Sequence, residues 1–512
     1  MKRIFLFISL ACAVALTGCE KDLDQTPISN GSVPDFYKTA ADFDQAMTAV
    51  YSQLRGFPDR EVILSELRSD NMFAVSSIGS RDWDPVNNFT ASALPINANV
   101  ADAWASDFST IFRANTLLDQ LALNGGVTGS LRTRYEGEAK FIRAFMYFDL
   151  VRKFGRVPVI EHALIPQEVE KIPRSEVADV YKLIIRDLRT AIANLPVSYT
   201  GTNVGRVTAG AAKGVLAQVF LTRSGPDYGI KGPGMGLNEY ARADSLLSDI
   251  IAARGTARYN LLTGTGAYAS IFSPTNENNA EVLFDIQYIA NGTVGGSFPN
   301  IVAPDGYYTG TVAQGNLGLS FSAGSVEIKP CSNDLNNVSY SPTDVRRAVN
   351  IQQGYTNAGT TDTRPFFKKY INVAAKGASR TDWGINYIVL RYADILMMKA
   401  ECQVRNVGGT PADAAALITP IRVRAGLPAL TTIDLPTLME ERRREFAGEN
   451  LRWNDLMRSG LALTVMNAWA QREDTGTTPK ITRPITAPLL LLPVPQVELS
   501  SAPGLYTQND GY

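Results

Sequence analysis

The chain has 512 residues, with 49 Lys and Arg against 50 Asp and Glu, one His and four Cys. That length suggests two to four ordinary domains or one continuous layered structure, and the charge balance argues against nucleic acid or an anionic membrane face as the main partner. Beyond the first eighteen positions no apolar run approaches membrane-helix length; the greasiest stretch, Leu489 to Val494, is interrupted by Pro488, Pro493 and Pro495.

Met1-Lys2-Arg3 gives a cationic start, residues 4–16 an apolar segment too short to span a bilayer, and Leu16-Thr17-Gly18-Cys19 follows. That ending is similar to the bacterial lipobox, which implies cleavage before Cys19, a diacylglyceryl group on its thiol and acylation of the new amino terminus. A plain secretory leader with an incidental cysteine is the alternative. Residues 1–18 therefore read as a signal peptide, 19–34 as a lipidated flexible tether, and 35–512 as the folded part.

Apolar periodicity then predicts helices over 39–55, 101–123, 131–154, 177–195, 209–222 and 239–253, several ended by Pro or Gly. Between 259 and 381 the chain turns to Gly, Asn, Ser, Thr and scattered aromatics, with a β-like run at 282–288; a loop-rich insert of that length usually carries function. Helices over 391–405 and 411–424 form a hairpin of about tetratricopeptide length, and 435–458 reads as one long amphipathic helix. Its 440–445 charge run is expected to be a solvated face or an intramolecular salt-bridge network. Cys331 and Cys402 read as free or buried thiols, with a bridge possible but not suggested.

Chemistry is sparse. His162 has no G-x-S-x-G partner stretch, neither H-E-x-x-H nor paired C-x-x-C occurs, and no Gly-Lys dipeptide offers a P-loop. No catalytic residue, metal or cofactor is expected. Two carboxylates meeting in space for glycoside hydrolysis stay open as the enzyme alternative.

Four stretches together resemble the SusD/RagB family of Bacteroidota outer-membrane nutrient-binding lipoproteins. They are Glu138-Ala139-Lys140-Phe141-Ile142-Arg143-Ala144 through Gly155-Arg156-Val157-Pro158; Arg391-Tyr392-Ala393-Asp394-Ile395-Leu396; Glu441-Arg442-Arg443-Arg444-Glu445-Phe446 with Arg452-Trp453-Asn454-Asp455; and Pro493-Val494-Pro495-Gln496 through Asn509-Asp510-Gly511-Tyr512. The resemblance implies a mainly α fold with four tetratricopeptide-like helix pairs, and a variable part bearing the ligand surface. It also implies a SusC-like TonB-dependent outer-membrane barrel as partner, a lipid anchor and display at the cell exterior.

The expected activity is non-catalytic capture of oligosaccharides for that transporter. Binding of peptides or other nutrients of the RagB type is the alternative. Sugars stack C–H faces on rings and give hydroxyls to planar polar groups. Trp83, flanked by Asp82 and Asp84, is expected to be poorly buried and is the first ligand candidate, with Arg81 and Asp82 as hydroxyl partners and Tyr307, Tyr308 and Trp383 behind it; each ring serves equally well as core. Trp104 and Trp453 are assigned to the core.

Overall fold

A computed structural model of the chain describes residues 36–76, 79–255, 259–321 and 327–512, so the leader, Cys19 and the tether lie outside the described residues. We number helices of eight residues or more. The first, α1 (Ala40–Ser52), begins at a capping box: Thr39 Oγ1 accepts from the Asp42 N–H, and the Asp42 carboxylate accepts from the Thr39 N–H at 2.7 Å. Asn97 Oδ1 accepts from the N–H groups of Asn99 and Val100 to start α2 (Ala98–Leu123). The next helix, α3 (Gly129–Phe154), ends at Gly155, where φ is +68° and a Cβ would fall 1.9 Å from the Lys231 carbonyl oxygen, so only glycine fits this exit turn.

Four helices with predicted counterparts follow: α4 (Val177–Asn194), α5 (Ala209–Ser224), α6 (Tyr240–Ala252) and, after the loop-rich segment, α7 (Tyr392–Gln403). The next, α8 (Pro411–Arg424), starts at a second capping box, Thr410 with Asp413, and has Pro411 in its first turn, where a missing N–H costs nothing. Neighbours in sequence are neighbours in space: α1 packs on α2, α2 on α3, and so on through α7 on α8. The pairs α1/α2, α3/α4, α5/α6 and α7/α8 thus stack as a helical-pair scaffold, with α3 covered by α2 on one side and α4 on the other. Trp104 and Trp453 are 3% and 5% exposed, in the core as expected.

Strands are few. The first, β1 (Val282–Ile286), pairs antiparallel with β4 (Tyr387–Arg391), which runs directly into α7. Between them β2 (Ile351–Asn357) and β3 (Thr360–Phe367) form a hairpin turned by Ala358 and Gly359, both at positive φ, the geometry that matches strand twist.

The expected long helix over 435–458 is two helices, α9 (Leu435–Phe446) and α10 (Arg452–Ser459), followed by α11 (Ala462–Glu473). The chain breaks at Ala447–Leu451, where Gly448 and Asn450 have φ of +79° and +64° and the Gly448 N–H donates to Glu66 Oε1 at 2.9 Å. Amphipathic spacing continues across the break, which is why periodicity alone joined the two.

The charge run of α9 is buried. Glu441, Arg442, Arg443 and Glu445 are at most 4% exposed, and beside the Arg444–Glu441 pair within α9, at 2.8 Å, they reach partners on other elements, so the run is an intramolecular salt-bridge network. Glu445 meets Arg391, Arg424 and Arg346 at 2.8, 2.6 and 3.0 Å, while Arg391 also reaches Glu281 on the approach to β1 and Glu449 in the break, each at 2.8 Å. Arg442 bridges Asp394 of α7 and Asp455 of α10 at 2.7 and 2.8 Å. Burial alone would raise the Glu445 carboxyl, but the three guanidinium groups outweigh it and hold it far below the ordinary range. Cys331 and Cys402 are both buried free thiols, and burial pushes Cys402 up to about 12.

Candidate functional site

The loop-rich segment is organised around Asp382, which is 3% exposed. Its carboxylate accepts backbone N–H groups from Asn291 at 3.1 Å, Gly292 at 2.9 Å and Ala378 at 3.0 Å, and its own carbonyl takes the Gly377 N–H at 2.6 Å. Charge-assisted bonds of this kind are about twice as strong as neutral ones. A Cβ on Gly295 or Gly377 would fall 2.3 or 2.0 Å from that carboxylate, so glycine is what lets both loops close on it. Gly296 and Trp383 exchange backbone bonds at 2.7 and 3.1 Å alongside.

This knot fixes three of the four candidate rings together. Trp383 is fully buried, donates its indole N–H to the Arg380 carbonyl at 2.7 Å, and packs on Tyr308 and Phe321 at centroid distances of 5.8 and 6.0 Å. Tyr308 is also fully buried and gives its hydroxyl to the Pro299 carbonyl at 2.6 Å; Tyr307, 5% exposed, packs on Phe366 at 5.1 Å. These rings form a floor. The half-buried rings beside them, Phe321 and Tyr355, carry the accessible aromatic surface, with the exposed Lys376 ammonium 5.9 Å from the Phe321 centroid.

Trp83 departs from expectation. It is 9% exposed, its indole N–H donates to the Ala74 carbonyl at 3.1 Å, and the Lys329 ammonium sits 3.9 Å from its ring centroid. Flanking aspartates report the polarity of the segment, not the direction in which the ring turns, and here the ring folds back while Asp82 stays exposed. Arg81 reaches across to Glu327 at 2.5 Å. Lys329 donates to the Ile301 carbonyl at 3.0 Å, and burial draws its ammonium down to about 8 against the pull of Asp82 and Glu327. Segment 299–308 therefore touches both the Trp83 group and the Tyr308 floor.

Sequence reading missed Phe321, Tyr355, Lys329 and Lys376. The only available signal was their position inside the 259–381 insert. His162 is exposed and pairs through Nδ1 with Asp119 at 2.8 Å. Among the described residues no group of three or more His, Cys, Asp and Glu side chains could hold a metal ion.

Residues 280–512 match the family described as the SusD family, and residues 23–221 match one described as starch-binding associating with outer membrane. The SusD-like protein P25 of Formosa agariphila is 26% identical, with 99% of this chain and 98% of that protein aligned. A SusD-like protein of Bacteroides ovatus is 25% identical over 89% of this chain and 82% of its own. Among solved structures, a laminarin binding SusD-like protein superposes with a TM-score of 0.75 at 26% identity, covering 93% of this chain and all of that one. The surface glycan-binding protein A from Bacteroides uniformis gives 0.75 at 25% identity, covering 92% and 99%.

Proposed function

The chain belongs to the SusD/RagB family, and from that premise we propose that it is a non-catalytic cell-surface protein that captures oligosaccharides and passes them to a SusC-like TonB-dependent outer-membrane barrel. The observation that carries this reading is the end-to-end likeness to a laminarin binding SusD-like protein, which spans the scaffold and the loop-rich segment alike. The chemistry of the loops is in keeping with it. Phe321 and Tyr355 offer half-buried ring surface beside a floor of Tyr307, Tyr308 and Trp383, with Lys376 next to Phe321, and Arg81 and Asp82 add polar groups for hydroxyls beside Trp83. We assign ligand contact to that rim and support to the floor and to Trp83.

Binding of the mature protein to a panel of laminarin, starch, xylan and mannan oligosaccharides tests the reading, with a peptide library alongside. Saturable glycan binding that leaves the glycan uncut after long incubation is expected. Binding of peptides alone would overturn it. Attachment rests on acylation of Cys19, where two or three chains contributing about 0.8 kcal/mol per buried methylene hold a protein firmly. Cys19→Ala is expected to move the protein from the outer-membrane fraction to the soluble one, and protease shaving of intact cells should remove the wild type.

A further inference from the structure

Two adjoining chambers, of ≈ 330 Å³ and ≈ 80 Å³, lie between the C-terminal turn of α1, the 199–206 loop and β1, and share Val204, Gly205, Arg206 and Asp285 as lining residues. The larger falls in the range of small-ligand sites. Gly205 has φ of +94°, and a Cβ there would fall 2.6 Å from Gln287 Cδ, so the loop seats directly on the Gln287 side chain and closes the floor.

Asp285 is the unusual member. It is 3% exposed yet lines both chambers, and its carboxyl is held by amides, Gln287 on one oxygen and Asn386 at 3.1 Å on the other. Gln287 is itself locked by a reciprocal amide pair with Asn278 at 3.1 and 3.3 Å. A carboxylate has about four acceptor positions, so one amide on each oxygen leaves capacity facing the cavity. Burial lifts this carboxyl to about 7, the kind of displacement that clusters at functional clefts.

The walls select among ligands. Leu54, Val204, Ile286 and Val294 present apolar surface suited to sugar C–H faces. An anionic ligand would meet the Asp285 carboxyl beside Arg206, which lines both chambers but is already paired to Asp44 and Glu138 at 2.8 and 2.9 Å; the other lining cation, Arg55, donates its Nε–H to the Ser52 carbonyl at 3.3 Å. A neutral polyol meets no such conflict and can give two hydroxyls to one carboxyl. We propose that this cleft is a second carbohydrate subsite, in which Asp285 accepts adjacent hydroxyls of a neutral oligosaccharide whose apolar face rests on Val204 and Val294. The inference rests on the glycan-capture reading and adds a place and a residue to it.

Isothermal titration with the tightest-binding member of the laminarin, starch, xylan and mannan panel decides it. Wild type is expected to show two sites per chain. Titrated at pH 8, where the carboxyl is mostly ionised, Asp285→Asn, which keeps the shape, should weaken one of them roughly tenfold or more, as expected for lost bonds to a charged group. Val204→Trp, at a rim position 39% exposed, should abolish the same site by filling the cleft, and it carries the test if Asp285→Asn folds poorly. One site per chain, unchanged in Val204→Trp, overturns the subsite and leaves glycan capture standing. No binding by wild type to any member of the panel overturns both.

Discussion

The charged centre joining α7, α8, α9 and α10 and the aromatic floor of the loop-rich segment are equally dry, but they are held in opposite ways. In the first, Arg346, Arg391 and Arg424 converge on Glu445, and each ion depends on the others for its compensation. In the second, Trp383, Tyr308 and Tyr307 pack as neutral rings, and the Asp382 carboxylate is satisfied by backbone N–H groups. A centre of paired ions fixes the angles between helices and tolerates no single replacement, because removing one partner strands the rest. A centre of rings and main-chain bonds holds loops in place while leaving the residues above it open to change.

The sharpest way to break this contrast is Glu445→Ala. It leaves three guanidinium groups short of a partner and is expected to cost about 3–5 kcal/mol, read from urea unfolding; a loss below about 1 kcal/mol would show that the network contributes little beyond volume. Next comes Trp83→Ala. Since the ring is packed against Lys329 and bonded to Ala74, the expected result is a loss of about 3 kcal/mol by the same assay. An unchanged melting temperature with lost glycan binding would move Trp83 from support to ligand contact.

The charged centre and the Asp285 cleft should also answer oppositely to pH. Burial would raise Asp70, but Arg443 and Arg452 outweigh it and hold it at about 2. Folded Asp70 thus binds fewer protons than the unfolded group, whose pKa is about 3.9. Its stabilisation is complete above that value and is lost as pH falls toward 2. Asp285 is the reverse: at about 7, it binds more protons folded than unfolded, so stability declines as pH climbs from about 4 through 7 and then levels. Melting temperatures from pH 4 to 8 should show that decline, on the order of 4 kcal/mol, and Asp285→Asn should flatten it. A decline of equal size in the variant would assign it to other groups. The smallest expected effect is none at all: with both thiols buried and Cys402 pushed up to about 12, neither Cys331 nor Cys402 should take up iodoacetamide until the protein unfolds.

Helices were legible where one signal sufficed. The α8 bounds follow from Thr410, Pro411 and the Gly426-Leu427-Pro428 exit, and α4 and α6 fall within a residue or two of their periodic patterns. What failed was anything set by partners far along the chain. The break at Gly448 depends on Glu66, and the choice between a solvated face and a buried salt-bridge network for the α9 charges, which went to the network, depends on Arg391, Arg346 and Asp70, none of which is near in sequence. The burial of Trp83 was misjudged for the same reason: Lys329 and Glu327, which cover its surroundings, come from far along the chain. The rim residues Phe321 and Tyr355 could be placed in the insert but not ranked, since only packing separates a floor ring from a rim ring.

The Asp382 knot grips the backbone amides of Asn291, Gly292 and Ala378, while the side chains of Thr293, Ala378, Ser379 and Thr381 stand exposed and take no part in those bonds. Those side chains can therefore be exchanged one at a time, changing the surface above the knot without refolding the loops. The fixed toll is Gly295 and Gly377, where any side chain would collide with the carboxylate. Grafting 291–296 and 374–384 together, with Asp382 and both glycines kept, would transplant a specificity as a cassette.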